Sequence, residues 1–481
     1  MKTYIEKPKI INISQVKEKK SLSSFSYRKI CFKNYNIVLL KNLLKENKKW
    51  FEPWSDNYVN FGKNYFVRIT EMDVLNNTFT ISEKTNKIIA FEWKNFIENW
   101  DICFQTASNV WNVNFYFWPK AYFNSHIRKI SFDKKYYIFS ILKSSFWKNQ
   151  VDIWGSIKWV DNFNNKLLEN IKIPFPSKNN HQEPEKIENL VSLITQNIID
   201  KEEQIKLKNK IIDEKIEKEL RENQISWKYE YYFPTISWIR ETSRLDTWLY
   251  WQKFKEFYSL VKNYKNGYSN LCLDDLQWWN TPKIRIFEPV KKEFLWFIPT
   301  DINAWVLASK KYIKAQKYNL WKDFALLFSN RSNCWECILY SPEYYIWWHH
   351  NQWIYRKIIK KENFVENIFI LTLFNSKIFQ KSINNISTGS TFKELRIEQF
   401  VNISIPNFPE EKQQEIARQY YNKVEKNTDL TFENYLEKEK ERNSKLWIFQ
   451  LNMELFELRE TLENLIDKII MDEKINIDFW Y

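Results

Sequence analysis

Four residues have the types and spacing of a metal site: Cys334-x-x-Cys337, followed by His349 and His350. Thiolates and imidazoles at such intervals can hold zinc tetrahedrally. A second stretch argues for a blander role. Ser108-Asn109-Val110-Trp111-Asn112-Val113 matches Ser332-Asn333-Cys334-Trp335-Glu336-Cys337, so both cysteines fall where the other stretch has valine. Small apolar packing positions are therefore expected, and no metal. The histidine pair keeps a separate interest, because imidazoles on a polar loop can reach the edges of bases.

Other chemistry would leave other marks. An adenine methyltransferase needs a Gly-rich cofactor loop and an Asn-Pro-Pro-Tyr type motif, and the chain has no Pro-Pro pair. A nucleotide-cradling loop ending Gly-Lys-Ser/Thr is also missing. Scattered Asp and Glu say nothing either way about a nuclease site. The formal net charge is +14 and the pI about 9.1, which favours a polyanionic partner such as nucleic acid; an AT-rich coding bias that inflates lysine is the other source of such a balance. No run of eighteen apolar residues appears, so no membrane span is expected. The N-terminus has no secretory pattern and the five cysteines are scattered, which fits the reducing cytoplasm.

The elements that would position polar loops can be read in order. Residues 1–30 are polar and read as a loosely ordered tail. Residues 31–180 alternate short apolar segments with turns, as strands and short helices of an α+β domain do. Residues 184–224 lack Gly after Pro184, and Ile187, Val191, Ile194, Ile198, Ile205 and Ile212 keep a helical seam that Lys201 and Lys208 interrupt. Such a helix would span on the order of 60 Å, too long to be covered by one compact core. A second mixed domain follows over 226–407. A second long helix is expected over 409–473, where Ile448, Leu451, Leu455, Leu458, Leu462, Leu465 and Ile469 step by three and four. Two such helices most simply pair antiparallel.

The two mixed domains are related. Phe66–Met72 recurs loosely at Phe297–Ile302, Ile127-Arg128-Lys129-Ile130 at Tyr355-Arg356-Lys357-Ile358, and Gly155-Ser156 at Gly389-Ser390. Ile171–Pro174 recurs at Ile403–Pro406, and Gln182-Glu183 at Gln414-Glu415. Order is kept and the offset stays between about 224 and 234 residues. Two similar readers related by a pseudo-two-fold axis would suit two half-sites on DNA.

These residues resemble a known family, the specificity subunits of type I restriction–modification systems. Gly389-Ser390-Thr391, then Lys393-Glu394-Leu395-Arg396, Ile403–Pro406 and an acidic-Gln helix start look like the end of that family's recognition domain. Ser243-Arg244-Leu245-Asp246 with Tyr250 resembles its beginning, whereas the first copy has only Gly155-Ser156-Ile157-Lys158 and nothing like Arg244-Leu245-Asp246. The resemblance covers about residues 36 to 472. It implies a non-catalytic subunit with two tandem α+β target-recognition domains, each followed by a long helix, the helices pairing as an antiparallel coiled coil. It further implies double-stranded DNA as ligand, with two adenine-methyltransferase subunits and a motor–nuclease subunit as partners. S-adenosylmethionine, ATP and Mg2+ would belong to those partners, and this chain would hold no cofactor. A basic tandem scaffold for nucleic acid without sequence readout is the alternative, and a stand-alone DNA-modifying enzyme a more distant one. Base readout falls to polar side chains on loops. The candidates are Arg68, Ser108, Asn109, Asn112 and Lys158 in the first copy. In the second they are Asn330, Arg331, Ser332, Asn333, His350, Gln352 and Lys393.

One compositional feature bears on all of this. The chain has 24 Trp and 4 Gly, where ordinary usage gives roughly 34 Gly in this length. Several Trp stand in turn contexts that suit glycine, as in Gln277-Trp278-Trp279-Asn280 and Pro53-Trp54-Ser55-Asp56. The expectation is that the source reads UGA as glycine; UGG codons at most of these positions would end the idea.

Overall fold

In a computed structural model of the chain, the described residues are 4–6, 13–14, 28–49, 57–59, 64–81 except 75, 85–89, 96–155, 170–178, 180, 183–225, 236, 258–271, 276–277, 294–297, 302–303, 306–307, 312–313, 323–331, 334, 336–342, 348–350, 353–387 and 393–477 except 423. The fold is mixed α+β and divides into two compact units. The first is Met1–Glu203, Lys426–Arg442 and Leu455–Tyr481; the second is Gln204–Glu425 and Asn443–Glu454.

In the first unit, Ile37–Leu39 pairs antiparallel with Lys172–Pro174, Pro174 lying opposite Ile37. A four-stranded antiparallel sheet runs in the order Glu46–Lys49, Ile127–Ser131, Ile102–Gln105, Val113–Phe115. The strand Ile102–Gln105 is buried at every position because both its faces are covered. Ile102 and Phe104 join the core beneath helix Lys135–Lys143, while Cys103 joins the core beneath a second sheet. A strand covered on both sides shows no polar alternation. The second sheet contains Ala121–Phe123 parallel to Tyr65–Val67, with Lys87–Ile88 antiparallel beyond it. Helices Lys135–Lys143 and Ser145–Gly155 are separated at Ser144, whose hydroxyl donates to the Ile141 carbonyl at 2.6 Å.

The same plan recurs in the second unit. Tyr268–Asn270 pairs with Ser404–Pro406, Pro406 lying opposite Tyr268. A four-stranded antiparallel sheet runs Leu276–Gln277, Ile354–Ile358, Ala325–Ser329, Cys337–Tyr340. A further sheet has Phe294–Phe297 parallel to Trp348–His350 and antiparallel to Tyr312–Ile313. Helices Phe364–Asn375 and Lys377–Ile386 follow, divided by Ser376, which caps the second by accepting from the Phe379 amide.

The central helix runs Pro184–Glu222. Its apolar seam is buried at Ile187, Val191, Ile194, Ile198 and Ile212. The two lysines that interrupt the seam are buried as well, because each has a partner. Lys201 faces the Glu439 carboxylate at 3.7 Å. Lys208 donates to the Ser444 carbonyl at 3.0 Å and lies 5.2 Å from the centre of the Trp447 ring.

Two expectations are corrected. Residues 409–473 form three helices, Glu410–Ala417, Tyr435–Lys445 and Ile448–Met471, in place of one. The first break ends in a local side-chain arrangement just before Tyr435–Lys445. The Thr431 amide donates to Asn434 Oδ1 at 2.7 Å, the Asn434 amide donates to Thr431 Oγ1, and Asn427 donates to Glu439 at 3.0 Å. The second break lets the Phe449 amide donate to the Tyr420 carbonyl at 3.0 Å. Residues 1–30 are also not wholly a loose tail. Tyr4 is buried, edge-on to Phe146 at 5.4 Å, and Ile5–Glu6 pairs with Lys29–Ile30.

Two tryptophans behave differently. Trp147 is buried in the core of the first unit and its indole N–H donates to the Trp111 carbonyl at 2.9 Å. Trp100 is 45% exposed with φ of 75°, a left-handed conformation that favours glycine.

Candidate nucleic-acid interface

In the first unit the candidate loop residues sit where strands end. The turn between Ile102–Gln105 and Val113–Phe115 is closed by the Gln105 amide donating to the Asn112 carbonyl at 2.9 Å and the Asn112 amide donating to the Asn109 carbonyl at 2.8 Å. Ser108 and Asn109 are exposed at its tip, Ser108 with φ of 63°. The Thr106 amide donates to the His126 carbonyl, and the Asn124 amide to the Val67 carbonyl next to Arg68. These bonds tie the ends of three strands together, so the turn 106–112, the turn 124–126 and Arg68 belong to one edge of the unit. Arg68 is half-buried, and its amide donates to Glu71 at 2.7 Å.

Asn112 is elsewhere. It is fully buried, and its Oδ1 accepts from Lys143 at 3.5 Å. Its place is under the turn, where it shapes the loop that carries Ser108 and Asn109. Lys158 lies outside the described residues.

The second unit repeats two of these bonds, the one that closes the turn and the one that ties it to the neighbouring strand. The Ser329 amide donates to the Glu336 carbonyl at 3.0 Å, and the Asn330 amide to the Trp353 carbonyl at 3.1 Å. Asn330 is buried, its carbonyl accepting from the Leu395 amide at 2.8 Å and the Cys334 thiol at 3.3 Å. Arg331 pairs backbone to backbone with Glu394, next to Lys393, which is half-buried. The Arg331 guanidinium lies 4.4 Å from the centre of the Trp353 ring. A guanidinium held over an aromatic face is attracted to it and loses rotamer freedom. Thus Asn330, Arg331 and Lys393 come together around one turn. Ser332, Asn333 and Gln352 lie outside the described residues; His350 is in strand Trp348–His350, with its side chain outside the described set.

Burial pushes the Cys334 thiol up to about 12 and raises that of Cys337 as well. Both are neutral thiols packed where the first unit has the buried Val110 and Val113. Among the described residues no group of three or more His, Cys, Asp or Glu could hold a metal ion.

The sequence reading missed His126, the counterpart of Trp353 in the bonding of the two turns. The repeat as read from sequence sets residue 126 against Ile354, one residue off; only the strand register, with Ile127 opposite Gln105 and Ile354 opposite Ser329, makes the pair visible. It also missed the loop Asp73–Thr78. There Asn114 donates to the carbonyls of Asp73 at 2.8 Å and Thr78 at 3.1 Å, and an Asp73 carboxylate oxygen accepts from the Asn76 amide at 3.1 Å.

No protein-family model matches the chain, and no curated protein matches it. Among solved structures it is similar to a type I restriction–modification system S subunit from M. genitalium, at 13% identity and a TM-score of 0.43, with 90% of this chain and 95% of that one covered. It is similar to an HsdS subunit from Thermoanaerobacter tengcongensis at 13% identity and a TM-score of 0.26, with 90% and 96% covered. A chain from a study of complex assembly and conformational transition in a type I restriction–modification system is also similar, at 13% identity and a TM-score of 0.28, with 91% and 98% covered.

Proposed function

We propose that this chain is a non-catalytic DNA-sequence-recognition subunit of a type I restriction–modification complex, acting in the cytoplasm. Its two domains, 31–180 and 226–407, each read one half of a bipartite site in double-stranded DNA. The central helix and Ile448–Met471 pair antiparallel between them and set the gap. Two adenine-methyltransferase subunits and a motor–nuclease subunit are its partners, and S-adenosylmethionine, ATP and Mg2+ are theirs to bind.

One observation carries the reading most of the way. The turns 105–112 and 329–336 are closed by equivalent backbone bonds in sheets of the same strand order. Each brings polar or cationic side chains to the same edge of its sheet. Duplicated loops on duplicated frames suit a target with two half-sites, and the net charge of +14 suits a phosphate backbone. The reading is tested by co-expressing the chain with an adenine-methyltransferase partner and mapping methyladenine genome-wide. A motif of two half-sequences at one fixed gap is expected. A soluble complex that methylates nothing, or methylates without sequence preference, contradicts it.

A further inference from the structure

Seven residues of the central helix, Asn197–Glu203, carry a cluster of polar contacts within the first unit. Glu202 is buried, with 1% of its side chain accessible. Its Oε1 accepts from Asn77 Nδ2 at 2.8 Å and from Arg459 at 2.6 Å, and its Oε2 accepts from the Asn77 amide at 2.8 Å. Beside it Glu203 accepts from the Thr78 hydroxyl at 2.7 Å. Arg459, on helix Ile448–Met471, donates also to Asn76 Oδ1 at 3.2 Å. Both carboxylate oxygens of one side chain are therefore engaged, by a loop of the reading domain and by the terminal helix. Asp73, Asn76 and Thr78 of that loop are themselves bonded, by Asn114 to the carbonyls of Asp73 and Thr78 and by Asp73 to the Asn76 amide.

A buried carboxylate with charged and backbone donors of fixed direction is costly to leave partly paired, so it specifies one arrangement of its neighbours. Apolar packing between the same elements would allow sliding by a fraction of a turn. We infer that Glu202 is a positioning residue that fixes how the first reading domain is seated on the spacer helices, and thereby the length of the gap between half-sites. This rests on the function proposed above.

The test has two arms, both on the full chain. In hydrogen exchange, Glu202→Ala speeds exchange of the Asn77 amide about tenfold or more, from loss of a charge-assisted bond, while strands Ile102–Gln105 and Ile127–Ser131 stay protected. The isosteric Glu202→Gln, which keeps an acceptor for the Asn77 amide, lies between. In methylome mapping, Glu202→Ala keeps both half-sequences and accepts more than one gap length. Unchanged Asn77 exchange, equal loss of protection across the sheet, or a single unchanged gap in a well-methylated Glu202→Ala strain each overturns the inference. A wild-type strain without a bipartite motif sinks the functional reading instead, and the exchange arm still decides whether Glu202 seats the domain.

Discussion

Lys143 shows how much one half-buried lysine, with its ammonium turned inward, can be made to matter. It ends helix Lys135–Lys143, and its ammonium donates to the Asn76 carbonyl at 3.0 Å. Burial lowers its pKa from 10.5 to about 8, with Arg459 adding to the fall and Glu202 and Asp73 opposing it. Between about pH 8 and 10.5 the unfolded chain binds a proton here that the folded chain does not, so this group makes stability rise with pH across that window. Below pH 8 the full cost is present, on the order of 3 kcal/mol. Other groups titrate nearby, Cys103 and Cys337 among them with thiols raised by burial, so the informative quantity is a difference. Wild-type stability in urea should gain on that of Lys143→Met as pH climbs from 8 to 10. A difference that stays flat would show that the ammonium is not enclosed. Residue types alone do not disclose such a site, because the shift comes first from burial by segments distant in sequence, with Glu202 and Arg459 acting in opposite directions. Ser108 and Asn109, by contrast, were legible as an exposed turn, whereas Asn112 in the same motif turned inward to Lys143. Trp100 sits at positive φ, a conformation that favours glycine, whereas Trp147, buried with a bonded indole, is suited to its place as tryptophan.

At the scale of elements, periodicity announced the central helix and the apolar seam of Ile448–Met471 with little ambiguity. It did not announce the breaks after Ala417 and at 446–447: the first ends where Thr431 and Asn434 bond each other's backbone just before Tyr435, and at the second the Phe449 amide reaches the Tyr420 carbonyl. Lys201 looked like a flaw in the seam and is the opposite. Within the first unit, Asn197 donates to the Tyr435 hydroxyl at 2.7 Å and Lys201 pairs with Glu439, so the central helix and Tyr435–Lys445 run in the same direction there. On helix Ile448–Met471, Arg459 meets Glu202 in the same unit. Replacing Lys201 by Met should cost about 3 kcal/mol, the low end for breaking a buried pair, because Arg442 still faces Glu439 at 3.7 Å. Adding Glu439→Leu should cost less than the sum of the single changes by about 1 kcal/mol. Additive costs in chemical denaturation would mean the two side chains do not interact.

At the scale of the whole chain, the duplication is the feature that sequence conveyed best and on which the proposed function rests most. The matches of Ile127–Ile130 with Tyr355–Ile358 and of Ile171–Pro174 with Ile403–Pro406 fall on equivalent strands of the two units, with Pro174 and Pro406 at equivalent ends of equivalent strand pairs. Which loop atoms face DNA was not legible, because it depends on how turns such as Asn330–Arg331 are packed against segments like Glu394–Leu395 that lie far along the chain. The central claim is that each turn reads its own half of one site. The most direct measurement is a pair of methyladenine maps, one from Ser108→Ala/Asn109→Ala and one from Arg331→Ala, each co-expressed with the methyltransferase partner. Each variant should relax or lose specificity in one half-sequence only, a different half for each, with the gap unchanged. Both variants altering the same half, or neither altering any, would contradict the account.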